Sequence, residues 1–64
     1  MEQIQQYDEI LFLHPEHGSL NASVIWTNGR EIDVKYFYRG IKSSKTIKRN
    51  DVIKLIYRDE LKGF

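Results

Sequence analysis

The chain contains no cysteine and a single proline, Pro15. No disulfide can staple it and no thiolate can hold a metal, so its core must come from packing alone. No apolar run approaches the ~18 residues of a membrane span, and no charged-then-apolar leader points to export. The expectation is a cytoplasmic protein with no membrane contact. Phosphate loops of the Walker type, dinucleotide fingerprints and nucleophile elbows are also missing. The acidic pairs Asp8/Glu9 and Asp59/Glu60 are adjacent in sequence, so on strands their side chains would point to opposite faces. His14-x-x-His17 with Glu16 has metal-ligand types, but Pro15 interrupts a short spacing and no fourth ligand is visible. Two solvated loop histidines are expected instead. A domain this small has little room for a ligand pocket of ~300 Å³. We therefore expect a non-catalytic protein without cofactor or metal.

What the chain does have is alternation. Leu20, Ala22, Val24 and Trp26 recur at every second position, as do Ile32, Val34, Tyr36 and Tyr38, and Asn28-Gly29 lies between the runs. Alternation on both sides of Asn-Gly is the strongest short-range hairpin signal. A two-residue loop would set apolar positions beside charged ones. A three-residue loop, Thr27-Asn28-Gly29, pairs Trp26 with Arg30, Val24 with Ile32 and Ala22 with Val34, so the faces agree. The expected turn is therefore type I with a G1 bulge, Gly29 taking the left-handed conformation.

Around this hairpin the remaining elements fall in order. Ile10 to Leu13 is a short apolar run stopped by Pro15, which reads as a strand over about 9–14. A short N-terminal helix within residues 1–13, with Ile4, Tyr7 and Leu11 on one face, is the alternative. His14 to Ser19 reads as a loop. Arg39-Gly40 offers a second tight turn that pairs Tyr38 with Ile41, Tyr36 with Ser43, Val34 with Lys45 and Ile32 with Ile47. Lys45 on the inward face marks Ile41–Lys48 as an edge strand. Arg49-Asn50-Asp51 reads as a turn, and Val52–Tyr57 as the last strand with Ile53, Leu55 and Tyr57 sharing a face. Residues 1–8 and 58–64 read as tails to one domain ordered over about 9–57, with Leu61 or Phe64 able to fold back.

Four or five short antiparallel strands at roughly ten-residue spacing mean an all-β sheet, which at this size would curl into a small barrel. The spacing resembles an SH3-like barrel of the Tudor or KOW sort. The resemblance is one of topology across residues 9–57, and no residue roles follow from it.

The net charge of +1 conceals an asymmetry. Residues 34–64 hold all but one of the basic side chains, and residues 1–33 hold six of the nine acidic ones. Lys35, Arg39, Lys42, Lys48 and Arg49 cluster around Phe37, which lies opposite the inferred core face of Val34 and Tyr36. Cations that meet phosphates and a ring that stacks on a base are the kit of a nucleic-acid-binding sheet. Nucleic acid is thus the first expected partner. The second expectation is a larger protein, bound as an adaptor, subunit or inhibitor would bind, through an exposed edge strand with Trp26, Tyr36 and Tyr38 as anchors. A homodimer through the Ile41–Lys48 edge fits either.

Overall fold

A computed structural model describes residues 3–58. They form β1 (Glu9–His14), β2 (Gly18–Thr27), β3 (Glu31–Tyr38), β4 (Ile41–Lys48), a 3-10 turn (Arg49–Asp51) and β5 (Val52–Tyr57). All pairings are antiparallel in one sheet of order β4-β3-β2-β1-β5, leaving β4 and β5 as open edges. Among the described residues no helix is long and apolar enough to cross a membrane. The apolar run at Ile10–Leu13 is strand rather than helix, and only a turn at Gln6–Tyr7 precedes it. The expected placements of Leu61 and Phe64 lie outside the described residues.

One face of the sheet builds the core, from Ile10 and Phe12 on β1, Ala22 and Val24 on β2, Ile32, Val34 and Tyr36 on β3, Ile47 and Val52. The β3–β4 hairpin has the register the alternation predicts, Tyr38 with Ile41 through Ile32 with Ile47. Arg39 and Gly40 both have positive φ, 52° and 79°, as the two central residues of a type I′ turn must.

The β2–β3 hairpin departs from expectation. Val24 pairs with Val34, not Ile32, and Thr27 pairs with Ile32, with Ile25 bulged between Val24 and Trp26. Before the bulge the register is slipped by two residues, which keeps Ala22 and Val24 inward; the bulge then turns Trp26, expected on the same face, to the outer side opposite Asp33. The turn is held by side chains. Asn28 Oδ1 accepts the Arg30 and Glu31 N–H groups, and Thr27 Oγ1 accepts from Gly29 and donates to the Glu31 carbonyl. Gly29 does adopt a positive φ, 96°.

β5 also differs. Its register against β1 shifts twice, so Ile10 faces Leu55 and Phe12 faces Val52. Each shift inserts an extra residue and breaks strict alternation. Val52 and Leu55, rather than Ile53, Leu55 and Tyr57, therefore turn toward the core, while Ile53 and Tyr57 are exposed.

The stretch read as an N-terminal tail lies against the sheet over residues 3–8. Ile4 is buried in the core. Val24 exchanges backbone hydrogen bonds with Tyr7 and Asp8, each 2.8 Å. Asp8 is 1% exposed. Its carboxylate accepts bonds from the Gln5 N–H and from Arg58 Nε and Nη2, all at 2.8 Å, and Arg58 Nη2 also reaches the Gln3 carbonyl. Burial alone would raise the Asp8 pKa. The Arg58 hydrogen bonds, the Gln5 N–H and the Arg58 charge outweigh it and hold the carboxyl below its ordinary value.

Candidate nucleic-acid interface

The face opposite the core is built by cross-strand pairs, and paired residues share a face. Lys42 on β4 lies opposite Phe37 on β3. The next row crosses the whole sheet as Ser44, Lys35, Ser23, Glu9 and Tyr57. Leu11 sits opposite both Asn21 and Lys54. Thr46, Asp33 and Trp26 form a further row, and Lys48 faces Glu31 at the end. Phe37 is 66% exposed, and Tyr57 and Trp26 are also exposed on this face.

Of the six residues expected to bind nucleic acid, the fold gathers Lys35, Phe37 and Lys42. Lys48 lies six positions along β4 from Lys42, about 20 Å in an extended strand. Between them Asp33 accepts a 2.6 Å hydrogen bond from the Thr46 hydroxyl. Arg49, in the 3-10 turn, joins Lys48, Arg30, Glu31, Gly29 and Asn50 around an open cleft of about 510 Å³. Arg39 turns away from this face, its guanidinium 5.4 Å from the centre of the Tyr38 ring. The basic set is thus two clusters separated by acidic positions.

Sequence reasoning missed Lys54 and Tyr57 on this face, because the β5 bulges reassign its sides. Among the expected protein anchors, Trp26 is on the outer face, beside Asp33. Tyr36 is buried against Phe12 and His14, with ring centroids 5.4 and 5.8 Å away. It drops out as an anchor, because its inward position on β3 makes it core. Tyr38 is half-buried under another ring.

That ring belongs to His17. At the end of the sheet where the β1–β2 loop meets the β3–β4 turn, His17 stacks on Tyr38 at 3.8 Å and on His14 at 4.4 Å. His14 is not a solvated loop residue. It ends β1, is buried, and its Nδ1 accepts the N–H groups of Glu16 and His17 at 3.0 and 3.3 Å. Desolvation, then the His17 and Lys45 charges, lower its pKa against the opposing pull of Glu16. Among the described residues no group of three or more His, Cys, Asp or Glu side chains is placed to hold a metal.

No protein-family model, curated protein or solved structure matches this chain.

Proposed function

We propose that the chain is a small SH3-like barrel that binds single-stranded nucleic acid on the outer face of its sheet. The meander β1 to β4, the 3-10 turn before β5 and the return of β5 to β1 support the barrel reading. The observation that carries the binding reading is Phe37. A large ring 66% exposed near the turn end of β3, with Lys42 opposite it and Lys35 two residues before it, is open to a stacking partner. Base stacking on such a ring contributes about 1–3 kcal/mol and tolerates any sequence. Three lysines (Lys35, Lys42, Lys54) are few for a duplex and adequate for a short strand, whose unpaired bases can also reach Tyr57. Ser23, Ser44 and Asn21 add neutral hydrogen-bonding groups between the rings.

The test is a titration of fluorescent single-stranded oligonucleotides at two salt concentrations. Neutralising three phosphates of a single strand predicts about a twentyfold loss of affinity between 50 and 200 mM salt. Phe37→Ala should weaken binding by about five- to a hundred-and-fiftyfold while leaving the melting temperature in place. Affinity independent of salt, or an unaffected Phe37→Ala variant, removes the reading. A second reading, a protein partner that adds a strand to the sheet, is favoured by the open edge of β4.

A further inference from the structure

The stack of rings beside the β3–β4 turn is not used by the outer face. Its fixed members sit on or beside paired strands: His14 ends β1, Tyr38 ends β3, and Arg39 follows in the type I′ turn over Tyr38. Only His17 rides on a loop, Pro15–His17. Its ring lies nearly parallel to both neighbours, at 22° to His14 and 12° to Tyr38, with its edge exposed. The loop's hold on this place includes the two N–H bonds to His14 Nδ1.

We propose that His17 is an internal stand-in for a nucleobase, and that the Pro15–His17 loop swings out to open a slot between His14 and Tyr38 that takes one planar base. The identity of the ligand rests on the nucleic-acid reading; the slot itself rests on the stacking geometry. With His17 gone, His14 and Tyr38 face each other across the thickness of one inserted ring, open to solvent along the edge His17 now exposes. The loop carries Glu16 away with it. Lys45 from β4 and Arg39 from the turn remain, so the opened slot is flanked by cations that suit a nucleotide. Phe37 and Tyr38 are consecutive on β3 and face opposite sides of the sheet, so a strand stacked on Phe37 reaches the slot by rounding the Arg39-Gly40 turn.

The latch also has a chemistry. A proton on His14 Nδ1 removes the acceptor that both loop N–H groups use, and it adds a positive charge beside His17 and Lys45. Among the described residues, Glu16 opposes this with its negative charge. Acid therefore opens the slot, working against the desolvation that keeps His14 neutral.

Adenosine, which has a base and no phosphate, is the probe. It is titrated into the wild type, His17→Ala and the His17→Ala/Tyr38→Leu double variant, followed by proton shifts of the adenine and of the Tyr38 and His14 rings. His17→Ala should bind adenosine at least about tenfold more tightly than wild type, with adenine protons shifted upfield, and Tyr38→Leu should abolish the gain. Ribose should produce no shift. No gain in His17→Ala, or a gain that survives Tyr38→Leu, overturns the proposal. The unsubstituted protein supplies the independent arm: adenosine should bind more tightly at about pH 5 than at about pH 7.5, and equal binding also overturns it. Since adenosine carries no charge for the lysines, the two readings fail separately. Salt-dependent oligonucleotide binding without an adenosine gain removes the slot alone. An adenosine gain without oligonucleotide binding removes the outer face alone.

Discussion

Replacing Asp8 by Asn changes one oxygen to an amide group and leaves the volume of the side chain intact. What changes is the electrostatics of a site 1% exposed to solvent. The carboxylate accepts three hydrogen bonds, two of them from one guanidinium. An amide has one acceptor atom and turns two N–H bonds toward donors. Breaking a fully buried ion pair costs about 3–5 kcal/mol. The Arg58 side chain is 24% exposed and regains part of its hydration, so a loss of about 2–3 kcal/mol is the better figure. A chain of this length is stable by about 3–10 kcal/mol in total, so the substitution removes a large share of it. At 4–8 °C per kcal/mol the melting temperature should fall by about 8–24 °C.

Urea unfolding followed by circular dichroism measures the loss, and a cycle with Arg58→Met isolates the coupling. The pH dependence has a definite sign. The folded Asp8 pKa lies below its ordinary value of 3.8, so the stabilisation is fully present above that pH and fades as pH falls through the folded value. The gap between wild type and Asp8→Asn should be constant near neutrality and close in strong acid. A loss under about 0.5 kcal/mol, or additive single variants, would refute the reasoning.

Tyr36→Ala should cost about 3–5 kcal/mol, as for other buried aromatics, read as a lowered urea midpoint by circular dichroism. Arg39→Asn places a residue tolerant of positive φ at a left-handed position. It should stabilise by under about 1 kcal/mol in urea, since the contact with Tyr38 that it removes offsets part of the gain. The folded His14 pKa lies below 6.5, so its contribution is present above that pH and is lost as pH falls through the folded value. The urea midpoint should drop between about pH 7.5 and 5.5, and a flat profile would show that the His14 latch does not couple to folding.

Local chemistry made most of the sheet legible. Arg39-Gly40 read as a two-residue turn gives the β3–β4 register, although Ile41–Lys48 alternates only weakly. The β2–β3 hairpin shows the limit of that logic. Matching faces fixes a register only modulo two, so Val24 with Ile32 and Val24 with Val34 satisfy it equally. The bulge at Ile25 and the hydroxyl and amide bonds of Thr27 and Asn28 decide between them, and no face pattern encodes those. The bulges of β5 hid Tyr57 and Lys54 in the same way. Asp8 was beyond reach because Arg58 is 50 positions away, and a lone acid before a strand carries no sign of such a partner. Tyr36 was placed on the inward face by its alternation, and its size made it look like an anchor when it is core. The basic cluster was visible as composition, and its interruption by Asp33 and Glu31 followed from the same β3–β4 register, which sets Glu31 across from Lys48.

β1 is flanked by β2, its neighbour in sequence, and by β5, the last strand described. During synthesis the first four strands can zip together as hairpins, but the second edge of β1 stays bare until Val52–Tyr57 arrives. That edge belongs to Ile10-Leu11-Phe12-Leu13, an uncharged, strand-prone run of the kind that templates aggregation. The interval between β4 pairing and β5 docking is therefore the hazardous moment in the life of the chain. Substitutions that slow β5, such as a proline at Leu55, should deplete soluble protein in proportion to that delay.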